Sequence, residues 1–271
     1  MDKLKRSQRM VLLTKELIEN PGKNFSLNHF CEKYQSAKSS ISEDLTIIRQ
    51  VLAESGEGVL KTISGATGGV VFYPHISEES EKDFLLKLSK TLSQGERILP
   101  GGYLYMTDII YSPETVKKLG RIFAKKFKGA RPDYIVTIET KGIPLALATA
   151  DAFGVDLVII RDSSRVTEGS AVNINYISGS NHTISTMSLA KRTLPENSKV
   201  IVIDDFMKAG GTAKGMTDLL EEFKAEVLGM GVLIATGEPE NKLIKDYLSL
   251  LELKSIDLEE KKIQIKVTCL N

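Results

Sequence analysis

The sequence predicts an α/β protein in two parts, a small α+β module followed by a larger parallel sheet with helices on both faces. Three observations predict it. Three apolar stripes at helical spacing precede a pair of β-branched runs broken by glycines, a proline seam falls at Pro74, and beyond residue 113 helices alternate with short, wholly apolar strands. A chain of 271 residues accommodates two domains, which the seam places at residues 1–74 and 75–271.

In the first part Met10, Leu13 and Leu17 recur at helical spacing and stop before Pro21-Gly22. Ser26 stands where an N-cap would, followed by the stripe Leu27, Phe30, Cys31 and Tyr34. In a third helix Ser40 and Glu43 read as a capping box ahead of the apolar face Ile41, Leu45, Ile48 and Leu52. Val59 to Ile63 and Val70 to Tyr73 flank a glycine-rich turn and read as a hairpin. Helix, helix, helix, hairpin is the winged-helix order.

Past the seam comes a helix rich in Glu and Lys, with Phe84, Leu88 and Leu92 on one face. Tyr134–Ile138, Leu157–Ile160 and Val200–Ile203 follow as strands. They lack polar alternation, which implies burial on both faces and therefore a parallel sheet. The polar insert 162–194 is too long for an ordinary connection and reads as a functional flap or hairpin.

Composition excludes several classes. With 42% hydrophobic and 26% charged residues the chain reads as an ordinary globular protein. No run approaches the length of a membrane span, and the charged start Met1–Arg6 lacks the apolar core of a signal peptide. Two distant cysteines, Cys31 and Cys269, suit reduced thiols in a cytoplasm. Three scattered histidines offer no ligand spacing, so no metal is predicted. A net charge of +1 means that any surface for nucleic acid must be local.

The chemistry concentrates in Val200-Ile-Val-Ile-Asp204-Asp205-Phe206-Met207-Lys208-Ala209-Gly210-Gly211-Thr212. An apolar strand ends in two acids, a short loop follows, and a helix opens near Ala213. Ligands of open α/β sheets gather at such carboxyl ends. Gly210 and Gly211 let the backbone approach a phosphate, and the helix N-terminus adds unpaired donors. Two carboxylates beside a phosphate must face hydroxyls or a cation, and a ribose diol satisfies them. A second loop, Glu139-Thr140-Lys141-Gly142-Ile143-Pro144, follows the Tyr134 strand and supplies a cation in Lys141.

This motif resembles the phosphoribosyl pyrophosphate (PRPP) signature of type I phosphoribosyltransferases, whose fold is a Rossmann-type parallel sheet. The resemblance implies that Asp204 and Asp205 hold the ribose hydroxyls, with Mg²⁺ left open as an accompanying ion, and that Lys208, Ala209, Gly210, Gly211, Thr212 and Ala213 surround the 5-phosphate. Thr140, Lys141 and Gly142 would meet the pyrophosphate. The insert would be the family's flexible loop, with Arg161, Arg165 and Lys191 near phosphates or simply solvated. Tyr103 and Phe206 are candidates to stack on a purine, or ordinary lining residues.

The whole chain resembles the bacterial purine operon repressors, through Lys5-Arg6-Ser7, Ala37 to Leu45, Ile98 to Tyr103, Val166 to Ser170 and Asp204 to Thr212. That resemblance implies a cytoplasmic, non-catalytic transferase homologue. It would bind operator DNA of purine genes as a homodimer and release it when PRPP binds as effector, with no required cofactor. Guanosine polyphosphates would compete for the same pocket. For the DNA, the third helix would offer Lys38, Ser39, Ser40 and Ser42 to the major groove. Lys3, Lys5, Arg6 and Arg9 form a local basic patch, and Lys61 lies on the wing. Glu43 and Asp44 read as first-turn dipole partners of that helix. A purine phosphoribosyltransferase of nucleotide salvage with an accessory domain, or an adaptor for protein contacts, remains the rival.

Overall fold

A computed structural model describes residues 4–65, 68–164, 167, 169–177 and 183–269. The chain divides into two compact units, with the main seam between Glu78 and Glu79.

The N-terminal unit runs α1 (Arg6–Ile18), β1 (Asn24–Phe25), α2 (Leu27–Tyr34), α3 (Lys38–Glu54), β2 (Gly58–Ile63) and β3 (Gly69–Pro74). β3 lies between β1 and β2, antiparallel to both, which makes the winged-helix sheet. Leu13 and Leu17 of α1, Phe30 of α2, the predicted α3 stripe Ile41, Leu45, Ile48 and Leu52, and Leu60, Val70 and Phe72 of the hairpin bury together as one core. Ser26 caps α2, its Oγ accepting from the His29 N–H at 3.2 Å. β1 escapes a sequence reading because two residues show no periodicity.

The capping box predicted for α3 is not there. The helix starts two residues before Ser40, at Lys38, with Ala37 as a cap that makes no side-chain hydrogen bond. Glu43 and Asp44 therefore lie beyond the first turn. Asp44 is fully buried. Its Oδ2 accepts from Arg9 Nε at 2.7 Å and its Oδ1 from Arg6 Nε at 3.0 Å. The acid stitches α3 to α1 and serves no dipole. Glu16 plays a similar part between α1 and α2, accepting from Lys33 and the Tyr34 hydroxyl and bonding to the His29 ring. Burial alone would raise its pKa; those partners hold it down to about 2.

The second unit begins with α4 (Glu78–Leu92), which buries Leu85, Leu88 and Leu92. Phe84, predicted on that face, sits half-buried at its margin beside Lys118, whose Nζ is 5.6 Å from the ring centre. A 3₁₀ turn (Gly95–Arg97) and the small pair β4 (Ile98–Leu99) and β5 (Tyr103–Leu104) follow. Next come α5 (Thr107–Ile110), α6 (Pro113–Lys126), β6 (Tyr134–Ile138), α7 (Gly142–Phe153) and β7 (Asp156–Ile160). The insert is the hairpin β8 (Ala171–Ile177) and β9 (Ile184–Ala190), paired from Ala171↔Ala190 to Ile177↔Ile184. The chain continues as β10 (Lys199–Met207), α8 (Gly211–Glu222), β11 (Glu226–Thr236), β12 (Leu248–Asp257) and β13 (Lys262–Val267).

The sheet order is β13-β12-β11-β10-β6-β7, parallel except for β13. Counting its parallel strands in chain order gives 2-1-3-4-5, a doubly wound arrangement. The order reverses between β6 and β10. Strands at a reversal send their following helices to opposite faces, which leaves a crevice at their carboxyl ends.

Candidate functional site

Both predicted loops leave the sheet at that crevice, one after β6 and one after β10. β10 runs further than the sequence suggests. It remains paired with β11 through Asp204, Phe206 and Met207, so the two acids lie within the strand. The connecting loop shrinks to Lys208–Gly210, and α8 starts at Gly211, two residues ahead of the predicted Ala213. Gly210 has φ +83°, a left-handed conformation that glycine adopts without steric cost.

Asp204 is buried, and its Oδ1 accepts the Asp205 N–H at 2.9 Å. Burial raises the pKa of Asp204 well above the ordinary carboxylate value, and the neighbouring Asp205 raises it further. Burial also raises that of Asp205, with Lys141 acting against it. Gly142 brings the second loop in. A Cβ at that position would stand 2.5 Å from Thr137 Oγ1 and 2.8 Å from Asp204 Oδ1, so only glycine allows the approach. Two motifs 60 residues apart in sequence thus share one carboxylate pair.

Beside them opens a cleft of about 410 Å³. Asp204, Phe206 and Lys208 to Ala213 line one side, Gly101 to Leu104 another. Tyr103 is two-thirds exposed and Phe206 half-buried, and both border the space. Met216, Met230, Val232, Leu253 and Ile256 give it an apolar floor that the sequence reading missed. Thr140 and Lys141 are exposed and do not border this cleft. Arg161 is committed elsewhere: its Nη1 donates to Glu139 Oε2 at 2.9 Å, while the Asp162 N–H donates to Glu139 Oε1 at 3.0 Å. Lys191 is exposed, and Arg165 lies outside the described residues. Among the described residues no group of three or more His, Cys, Asp or Glu is placed to hold a metal ion.

The N-terminal unit presents its own concave surface, about 420 Å³, between α3, the start of α2 and the hairpin. Lys38, Ser42, Thr46 and Arg49 line it at helical spacing, along the flank of the apolar stripe, whose Leu45 also borders it. Arg49 is fixed there, Nε donating to Leu60 O at 3.0 Å and Nη2 to Thr62 Oγ1 at 2.7 Å. Arg49, Thr46 and Asn28 were not among the predicted contacts, although the i, i+4, i+8 spacing from Lys38 points to Thr46. Lys5, Lys38, Ser39, Ser42 and Lys61 are exposed; Ser40 is half-buried. Arg9 needs correcting. Its side chain is buried against Asp44 and reaches Ser36, so it packs helices together and is turned away from solvent. Arg6 is half-exposed, with both Asp44 and Glu43 at its fork. Lys3 lies outside the described residues.

Residues 5–74 match the family described as bacterial purine repressor, N-terminal, and residues 106–268 match the phosphoribosyl transferase domain. A purine biosynthesis transcriptional repressor from Bacillus subtilis is 48% identical over 264 residues, covering 97% of this chain and 93% of that protein. The chain belongs to the bacterial purine repressor family. Members carry both regulatory signs in their names: a purine biosynthesis transcriptional activator from Lactococcus lactis subsp. lactis is 39% identical over 97% of each chain. Adenine phosphoribosyltransferase from Saccharomyces cerevisiae aligns with a TM-score of 0.54 at 22% identity, over 62% of this chain and 97% of its own, which shows the fold. This member of the bacterial purine repressor family thus joins a winged helix to a phosphoribosyltransferase fold. Among the described residues no helix is long and apolar enough to cross a membrane.

Proposed function

We propose that this chain is a transcriptional repressor of purine biosynthesis and transport genes, and that PRPP bound at the sheet reversal lowers its affinity for operator DNA. One observation carries the reading: the buried Asp204, next to the half-buried Asp205 in β10, lines the same cleft as a glycine loop and a helix N-terminus. The acids suit the two ribose hydroxyls and the loop suits a phosphate. Lys141, facing Asp205, adds a cation for the pyrophosphate end. Mg²⁺ usually takes one or two carboxylates together with phosphate oxygens. Asp204 and Asp205 fit that donor set, so they would hold an ion arriving on PRPP and ease their mutual repulsion.

Tyr103 and Phe206, both on the cleft, would receive a purine ring. A guanosine polyphosphate offers ribose, phosphates and such a ring, so it competes with PRPP. PRPP and DNA each weaken the other by the same factor, as linkage requires. We assign the repressor sign because identity is higher to the Bacillus repressor than to the Lactococcus activator. The chain acts as a homodimer, matching a two-fold operator. The match to a phosphoribosyl transferase domain favours one alternative, a salvage transferase.

The deciding experiment is a gel shift on purine-promoter DNA with and without PRPP. Binding that PRPP abolishes supports the reading; binding indifferent to PRPP removes it. Pyrophosphate release on incubation with PRPP and each purine base would establish the transferase instead. Replacing the exposed Lys38 with alanine should weaken binding to all DNA sequences alike and reduce the slope of log K against log salt by about 1. An unchanged slope takes Lys38 out of the interface.

A further inference from the structure

The glycine loop is held from behind by the segment that follows β11. Lys242 Nζ lies 2.7 Å from Lys208 O, 3.0 Å from Pro239 O and 3.4 Å from Thr236 Oγ1. An ammonium has three donors, and all three are matched. Thr236 Oγ1 reaches both Glu238 O and, at 3.3 Å, Lys208 O; with its one hydrogen given to the shorter contact at Glu238 O, Lys242 is the donor to Lys208 O. One residue on, the Leu243 N–H donates to Ala209 O at 2.9 Å. Two consecutive loop carbonyls are thus pinned to the same segment.

A trans peptide points its N–H opposite its C=O. Holding Lys208 O and Ala209 O against residues 236–243 therefore turns the N–H groups of Ala209 and Gly210 away from that segment. Gly211 and Thr212 follow as the first residues of α8, where N–H groups have no acceptor within the helix. Four successive donors are set into one array. Gly210 completes the fit, since a Cβ there would stand 3.3 Å from the Leu243 and Ile244 nitrogens.

We propose that Lys242 is a positioning residue for effector binding, which pre-sets the Lys208–Thr212 loop to receive a phosphate without touching that phosphate itself. This rests on the reading of the loop as a ribose-phosphate cradle. Without the ammonium, the Lys208–Ala209 peptide is released to rotate and must be reordered when ligand binds. Lys242→Met keeps the length of the stem and deletes the donors. Ordering the backbone of one residue costs about 1–2 kcal/mol, equivalent to roughly tenfold in affinity.

The test titrates the full-length chain and its Lys242→Met form calorimetrically with ribose 5-phosphate and with inorganic pyrophosphate, and melts both proteins without ligand. The expected result is a loss of about tenfold for ribose 5-phosphate, with pyrophosphate affinity and effector-free DNA binding unchanged and at most a small drop in melting temperature. Equal affinity of both proteins for ribose 5-phosphate overturns the proposal. So does a parallel loss for both ligands with a lowered melting temperature, which would make Lys242 a general prop. A wild-type chain that binds no ribose 5-phosphate overturns the cradle reading itself, whatever the variant does.

Discussion

Asp204→Asn combined with Asp205→Asn is expected to give a chain that binds operator DNA normally and never releases it to PRPP. The substitution keeps both side-chain volumes and removes both charges. Each ionised acid accepts hydroxyl hydrogen bonds of about 1.5–3 kcal/mol, so together they account for at least a hundredfold in PRPP affinity. The same variant should melt at a higher temperature than wild type at neutral pH without ligand. Burial raises the pKa of both acids, so the folded state holds protons that the unfolded chain gives up. Stability from the pair is complete below the ordinary aspartate value and is lost as pH rises through the raised values. At neutral pH the charged pair burdens the fold, and asparagine lifts that burden. Gel shifts with PRPP and thermal melts at acid and neutral pH check both halves. Release of the double variant by PRPP at wild-type concentrations would end the ribose assignment.

Asp44→Ala should be the most damaging single change in the N-terminal unit. The Asp44 side chain is fully buried and that of Arg9 is 9% exposed, so removing the acid leaves a guanidinium with no counter-charge inside the packing. Breaking such a pair typically costs about 3–5 kcal/mol, a large share of the roughly 5–15 kcal/mol that holds a domain folded. DNA binding should vanish with it, because Asp44 sits on the helix that carries Lys38 and Ser42. Arg9→Met added to Asp44→Leu should restore much of the stability, since apolar replacement of a whole buried pair is often neutral. Urea unfolding of wild type and the two variants reads this directly. An Asp44→Ala chain as stable as wild type would deny the pair any structural role.

What could be read from the sequence followed from signals that are local. The α3 stripe, the hairpin flanks and the unbroken strands β6, β7 and β10 declare themselves through periodicity within a few residues. The Asp204–Thr212 motif is likewise contiguous, and the reversal between β6 and β10 confirms why its loop and the Lys141 loop meet. What was missed depends on distant partners. Nothing near Asp44 announces that Arg6 and Arg9, more than 30 residues earlier, will close on it. Arg9 looks like part of a DNA-binding patch until its partner is seen. Strands β11 to β13, the apolar floor of the cleft and the Lys242 support all follow the motif, in a stretch whose pattern had not been assigned. The misplaced start of α3 has a simpler cause: Ser40 and Glu43 have the spacing of a capping box, but the turn before them is already helical.

The tie from Arg49 to Leu60 and Thr62 reaches beyond the protein itself. It joins α3 to the hairpin, so the gap between them is fixed before any duplex arrives. A duplex entering that gap must match its width with its own grooves, and sequences differ in how readily they narrow, widen or bend. If α3 and the hairpin both engage DNA, operators would be selected partly by how readily their base steps deform. Loosening Arg49 would broaden the range of tolerated DNA before it abolished binding.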